Sequence, residues 1–305
     1  TCFTRSFSFF PVKSGGGGAS GIFVCDRWDT TFAGTDGRLT LTQDSSAPVG
    51  FSHSLKLACT TADTSIAAGE ALVLNQKLEG QDVQQFAKGT SSAKPITVSF
   101  YVKGNASATY TVELRDFDNG RRNSQEFPVT TDWVRITRTF VADTTGTLDD
   151  DNASSLILQF WLHAGSTYTG GTHTDNVWHS TNNQIVGDNN TSFFDSTDRT
   201  FFITGVQLEV GSQATPFEHR SFGEELKLCQ RYYEDIDNAM YPNEHSGATI
   251  ANYFWKVTKR VAPTLTAGTN AGSLTLNASN TGGGWVYSSS GAFNPVQNLR
   301  GDAEL

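Results

Sequence analysis

The chain is short of charge. Asp, Glu, Lys and Arg make up 17% of its 305 residues, with 22 basic side chains against 31 acidic ones and a formal net charge of −9. A nucleic-acid-binding surface needs the opposite balance or a basic stripe. The densest basic spots, Arg121-Arg122 and Lys256 with Lys259-Arg260, are too brief to form one, so no nucleic-acid partner is expected. No apolar run approaches the ~18 residues of a membrane-spanning helix, so membrane insertion is not expected either. The stretch 7–12 is too short for a secretory leader and runs directly into the glycines at 15–18. There is one methionine, Met240, which predicts either a processed N-terminus or origin in a longer polypeptide. Cysteine is scarce as well: Cys2, Cys25, Cys59 and Cys229, none in a C-x-x-C pair, which argues against a zinc knuckle or a dithiol redox motif. Each lies among apolar residues, where Cys acts as a small hydrophobe, and free thiols are expected. No Gly-x-Ser-x-Gly elbow is present, no nucleophile–base pair is legible, and no pair of carboxylates has a glycosidase-like context. The chain therefore reads as a non-enzyme.

What is present is alternation. Ile96, Val98, Phe100 and Val102 alternate with Thr97, Ser99, Tyr101 and Lys103. Tyr110, Val112 and Leu114 alternate with Thr109, Thr111 and Glu113. Leu156, Leu158, Phe160 and Leu162 alternate with Ile157, Gln159 and Trp161, and Phe202 to Val210 repeats the pattern. Period two places one face in a core and the other outside it. Turn clusters such as Asp118-Asn119-Gly120 separate these runs, and no helical pattern intervenes. The fold class predicted is all-β, a jelly-roll β-sandwich followed by one short helix and a small C-terminal β domain. Its divisions are an extended lead-in at 1–21, the sandwich at 22–220, a linking helix at 221–241 and a β tip domain at 242–305. Residues 163–200, rich in Gly, Thr, Ser, Asn and Asp, read as a long loop excursion between the last two sandwich strands; such a loop is usually functional or part of an interface.

Thr215-Pro216 fixes an extended exit from the sandwich. Ser221-Phe222-Gly223-Glu224 is a capping box, in which Ser and Glu side chains each satisfy an amide at a helix start. A helix of about three to four turns is expected to follow, with Phe222, Leu226, Cys229, Tyr233 and Ile236 as its apolar stripe and Leu228 and Tyr232 widening it. Such an arc could pack at home or meet copies of itself around a symmetry axis. Leu226, Leu228, Cys229, Tyr232 and Tyr233 are the oligomer-interface candidates. The segment beyond Tyr241 is small for an independent core, which sharing between copies would remedy.

Taken in order, Cys25-Asp26-Arg27-Trp28, TTADTS at 60–65, NQKLEG at 75–80, KPITVSFYVKG at 94–104 and ITGVQLEVGSQATPFEHRSFGEELKLCQRYY from Ile203 resemble a module of tail-fibre and fibre-like proteins of bacteriophages, many of them marine. The final block is the most specific part, and the closing GDAEL also resembles the end of such proteins. The segment at 1–21 does not match the family's usual opening. The resemblance implies a carbohydrate-binding-module-like sandwich in a virion structural protein exposed on the particle surface. It implies a homotrimer, partnered by other virion tail or capsid proteins, that adsorbs to a host surface glycan. The alternative is a purely structural virion appendage or a capsid or tail decoration protein that never touches sugar.

Glycan platforms stack aromatic rings on sugar C–H faces and fix hydroxyls with amides and carboxylates. Tyr101 and Trp161 lie opposite the apolar alternation and are candidates, together with Trp178 in the long loop and Trp285 and Tyr287 near the C-terminus. The alternative at Tyr101 and Trp161 is cover by the long loop or by another subunit. Asp26, Arg27 and Trp28 read as structural, a buried Trp at a strand start beside an ion pair. No cofactor is expected. Asp149-Asp150-Asp151-Asn152 could offer oxygen ligands to Ca²⁺, but a turn between strands has the same composition. His173, Asp175 and His179 cluster in sequence and read as solvated surface rather than as a metal site.

Overall fold

The computed structural model describes residues 13–15, 27–236, 243–245, 248–266, 274–288 and 299–305, with backbone alone at 13–15, 236, 243–245, 248–251, 274–275 and 285–288. Cys2, Cys25, Asp26 and Met240 lie outside the described residues, as do the side chains of Trp285 and Tyr287. Two compact units divide the chain, Thr1–Glu218 and His219–Leu305.

The first unit is an antiparallel two-sheet sandwich of jelly-roll type. Its strands are β1 (Lys13–Gly15), β2 (Trp28–Ala33), β3 (Arg38–Asp44), β4 (Ser54–Thr61), β5 (Ala71–Glu79), β6 (Ile96–Gly104), β7 (Ala108–Asp116), β8 (Arg121–Val129), β9 (Val134–Phe140), β10 (Ser154–Ala164) and β11 (Thr200–Val210). One sheet runs β1-β3-β4-β11-β6-β9 and the other β2-β5-β10-β7-β8. The apolar members of the alternations on β6, β7 and β10 face inward and build one core. On β11 the expected face is corrected: Phe201 and Ile203 enter the core, Phe202 lies outside it against Trp133, Lys56 and Lys103, and a register shift between Thr204 and Gln207 brings Val206 back in, leaving Val210 exposed. Phe100 meets Phe160 and Phe127 edge-on, with ring centroids 4.9 and 5.1 Å apart, and Trp28 closes on Phe160 at 6.0 Å. These edge-to-face contacts add to what ring burial alone contributes. Trp28 is fully buried at its strand start, as expected.

At the sheet margin beside the core, the buried Lys88 ammonium donates to Asp116 at 2.5 Å and to the carbonyls of Thr145 and Gly146 at 2.9 and 3.0 Å, and pairs with Asp143 at 3.1 Å. A buried ammonium with its donors satisfied in this way escapes most of its desolvation cost. Next to this cluster, residues 149–152 form a turn: the Asp149 N–H donates to Asp118 and the Ala153 N–H to Asp151. Among the described residues no three or more His, Cys, Asp or Glu side chains converge as a metal cage.

The long loop between β10 and β11 holds a short helix α1 (Ser166–Thr169) and a 3-10 turn (Asn182–Gln184). It is bolted to the sandwich. Glu126 accepts from the Asn189 backbone and side-chain amides at 3.0 and 3.1 Å. The Ser124 hydroxyl donates to the Ile185 carbonyl at 2.6 Å. His179 forms a bridge with Arg122 on the edge strand β8, which protects part of that edge from pairing elsewhere. At this closure Gly187 leaves room for the Glu126 side chain: a Cβ there would lie 1.9 Å from the Glu126 carboxylate, which would have to shift.

In the second unit the capping box forms as the sequence predicts. The Ser221 hydroxyl accepts from the Glu224 N–H, and the Glu224 carboxylate accepts from the Ser221 N–H. Helix α2 (Phe222–Gln230) is shorter than the predicted 221–241. Tyr233 and Ile236 are not helical: they belong to β12 (Tyr233–Ile236), which pairs with β18 (Leu299–Asp302). The segment is therefore part of the C-terminal unit, not a linker ahead of it. That pairing satisfies the backbone from Tyr233 onward, and aromatic residues at 232 and 233 suit a strand better than a helix. A three-stranded sheet runs β12-β18-β15 (Thr264–Thr266). A four-stranded sheet joins β13 (Asn243–His245), β14 (Ala248–Tyr253), β17 (Gly284–Ser288) and β16 (Leu274–Ala278). Buried Lys259 donates to Glu234 at 2.6 Å and to the Gln230 carbonyl, with its ammonium 4.7 Å from the Trp255 ring centre.

Candidate functional site

The five-stranded sheet turns its second face away from the core, and that face is polar. Residues 29 and 31 on β2, 75 and 77 on β5, 157, 159, 161 and 163 on β10, 111, 113 and 115 on β7, and 122, 124 and 126 on β8 share it by parity. Strand register sets two parallel rows across the sheet. One is Asp29, Asn75, Gln159, Glu113 and Ser124; the other is Lys77, Ile157, Arg115 and Arg122.

The first row is held rigid. The Gln159 amide donates to Asn75 at 2.7 Å, and the Asn75 amide donates to Thr31 at 2.9 Å. The Trp161 indole N–H donates to Glu113 at 2.5 Å. Lys77 pairs with Asp29 at 3.5 Å, and Arg122 faces Glu113 at 3.8 Å. Capacity is left over: Asp29 Oδ1, Glu113 Oε1, Arg115 Nε and Arg122 Nε are buried atoms without a hydrogen-bond partner. Such atoms are costly in a native fold and mark places where another molecule can complete the network. Burial pushes the Glu113 carboxyl above the usual carboxylate range, against the opposing pull of Arg122, the Trp161 N–H and Arg115. Burial also lowers the Arg122 guanidinium, and Arg115 lowers it further, while Glu113 raises it.

The loop borders these rows. Ile185 and Val186 pack with Ala71, Val73 and Trp161, and Tyr168 stacks on Trp161 at 4.9 Å. Trp161 is therefore not an exposed sugar platform. It is 5% accessible, and its ring supports the loop while its N–H fixes Glu113. Tyr101 sits on the other sheet, half-buried between Phe51 at 5.4 Å and the Arg135 guanidinium at 5.9 Å. Trp178 packs against the core margin, donates to the Val141 carbonyl at 2.7 Å and lies under the Lys88 ammonium. The structure does not bring Tyr101, Trp161 and Trp178 together. Of the interface candidates, Cys229 and Tyr232 are buried in their own unit, Leu226 and Tyr233 are half-buried, and Leu228 remains exposed. Inside the loop His173 Nδ1 donates to the Gln184 carbonyl at 2.9 Å and Nε2 lies 2.8 Å from the Asp175 carboxylate, and the His179 ring accepts from the Thr181 N–H.

A Ser–His–Glu chain that no sequence spacing reveals also appears. His163 Nδ1 lies 2.7 Å from the Ser192 hydroxyl and Nε2 3.1 Å from Glu70. Burial holds the imidazole below its ordinary pKa. The imidazole is fully buried against Phe194, and the Ser192 oxygen already accepts the Phe194 N–H. The trio latches the loop to β10 and to the segment before β5.

The polar rows also escape a search for aromatics. Their signal in the sequence is the polar parity of Asn75, Glu113 and Gln159 within otherwise apolar strands, and register alone aligns them.

No protein-family model matches the chain, and no curated protein sequence matches it. Solved structures similar to it include one described as CBM4, at 16% identity over 61% of this chain and 87% of that one, with a TM-score of 0.34. Another is the enzymatically active domain of a bacteriophage CBA120 tailspike protein, at 13% identity over 62% of this chain, with a TM-score of 0.34; the match spans 20% of that chain. A third is a family 11 carbohydrate-binding module from Clostridium thermocellum in complex with a mixed-linked tetrasaccharide, at 13% identity over 61% of this chain and 89% of that one, with a TM-score of 0.33.

Proposed function

We propose that the first unit binds carbohydrate over the polar face of the five-stranded sheet, without cleaving it. The observation that carries this reading is the row from Asp29 to Glu113, a line of planar amides and carboxylates fixed by neighbours yet holding unfilled hydrogen-bond capacity. Planar groups of this kind take up adjacent sugar hydroxyls in pairs, and pre-fixed partners lower the ordering cost of binding. The resemblance of the Ile203 block to phage fibre modules extends the reading. The chain acts as a fibre component of a virion surface, as a homotrimer joined to other virion proteins, and its sugar is a host surface glycan met during adsorption.

The test is a glycan array probed with the full chain and with a variant combining Asn75→Ala and Gln159→Ala. The wild-type chain is expected to retain a defined set of glycans, and the variant to bind them at least roughly tenfold more weakly, the loss of one to two hydrogen bonds. Retention of no glycan would remove the reading in favour of a purely structural appendage. Release of reducing ends from a retained glycan would make the protein an enzyme.

A further inference from the structure

We propose that the sugar taken by this face is acidic, its carboxylate or sulfate ester held between Arg115 and Arg122. The inference rests on the carbohydrate reading above and names the chemical class of the ligand.

Arg115 on β7 stands directly opposite Arg122 on β8. Like charges in that position destabilise a sheet. Lys77 joins the same row across Ile157, so three cations line one row. The carboxylates nearby do not balance them. Asp29 pairs with Lys77, and Glu113 faces Arg122 at an ion-pair distance but without a hydrogen bond, because its other oxygen holds Trp161. Among the described residues no carboxylate lies within ion-pair distance of Arg115; its guanidinium lies 5.2 Å from the Phe117 ring centre. Arg122 is 8% accessible, and its Nε, like that of Arg115, makes no hydrogen bond. A buried guanidinium without a hydrogen-bonded anion is an expensive arrangement to keep.

An oxyanion between the two arginines resolves all of this together. It takes charge-assisted hydrogen bonds from both forks, screens their repulsion and supplies the missing negative charge. The geometry also suits a sugar rather than a free ion. The cationic row lies two residues along the strands from the amide row, roughly 6.6 Å. Asn75 and Gln159 are 4% and 7% accessible, so a ring laid over them meets only the edges of their amides, while its anionic substituent reaches the arginines through the half-buried Arg115.

The experiment compares matched polymers by affinity electrophoresis of the full chain: polygalacturonate with its carboxyl-reduced form, and dextran sulfate with dextran, beside the acidic and neutral members of the glycan array. Acidic glycans are expected to bind at least roughly tenfold more tightly than their neutral counterparts. Arg115→Gln should remove that preference while keeping residual binding through Asn75 and Gln159, and Arg115→Lys should restore part of it. Binding by the wild-type chain should weaken as ionic strength rises from about 0.05 to about 0.5 M, which is informative even if a variant misfolds. The carboxylate and sulfate pairs separate the two anion sources. Retention of neutral glycans alone, or a preference unchanged in Arg115→Gln, would overturn the acidic-sugar assignment and leave carbohydrate binding standing. Retention of no glycan of either kind would overturn both.

Discussion

His163 couples the loop to the sheet through its ionisation. Its ring is enclosed by Ser192, Glu70 and Phe194, with Asp63 close enough to act through charge. Burial lowers its pKa more than the Glu70 hydrogen bond and the Glu70 and Asp63 charges raise it. The folded state therefore prefers the neutral imidazole more strongly than the unfolded chain does. The resulting stability is fully present above the unfolded pKa of about 6.5 and is lost as pH falls through the folded value. His179 is lowered too, by burial, Arg122 and His173, and adds in the same direction. Glu113 runs the other way. Its raised pKa contributes stability below the unfolded value of about 4.3, which is lost as pH rises through the folded one. With Glu113's opposing contribution removed in a Glu113→Gln background, the urea midpoint of the first unit should drop between about pH 7.5 and about pH 5.5. His163→Gln, which can still donate to Glu70 and accept from Ser192, should flatten that drop to the part due to His179. A midpoint that does not move with pH, or an unchanged slope in the variant, would exclude this coupling.

Among the elements, the long loop shows best what could and could not be read from sequence. Its extent between β10 and β11 is legible from composition alone, since Gly, Ser, Thr and Asn replace the alternation. Its course is not, because the contacts that fix it join residues far apart, such as Ser124 to Ile185 and Glu126 to Asn189. This is also why Trp161 reads as a platform in sequence: period two reports which face it occupies, not what covers that face. Helix α2 divides the same way. Its start is written in four consecutive residues, whereas its end is set by β12 pairing with β18, more than sixty residues later. Glycine packing offers a direct test of the loop's seat. Gly165 begins the loop, its N–H donates to the Glu70 carbonyl at 2.8 Å, and a Cβ there would lie 2.1 Å from the Ala67 carbonyl oxygen. Gly165→Ala should destabilise the first unit by roughly 1–3 kcal/mol, since backbone rather than a flexible side-chain end must give way. Gly69→Ala, where a Cβ meets nothing within 4 Å, should change stability by less than about 0.5 kcal/mol. Equal thermal midpoints for the two variants would contradict the loop's placement against residues 67–70.

At the scale of the whole molecule, the two units have separate structural bases, and this makes the proposed assembly testable. The core running from Trp28 to Val206 lies entirely within the first unit. Cys229, Tyr232, Trp255, Leu299 and Ala303 are buried in the second. Because Cys229 and Tyr232 are already used at home, the apolar arc left for a neighbouring copy is narrower than the sequence pattern alone suggests. It reduces to Leu228, which is 43% accessible, Phe222, which is 59% accessible, and the half-buried Leu226. If the homotrimer forms through this face, Leu228 is its best anchor, and replacing a leucine buried at such a seam costs on the order of 2 kcal/mol or more at each site. Leu228→Asp adds a charge that would have to be desolvated, so it should shift the chain from trimer to monomer at micromolar concentration by light scattering. The substitution lies in the second unit, so the first unit's unfolding transition and its glycan binding per chain should persist, while avidity for a multivalent surface falls with the loss of linked sites. A wild-type chain that is already monomeric at that concentration would remove the trimer, and α2 would then serve only to brace its own sheet.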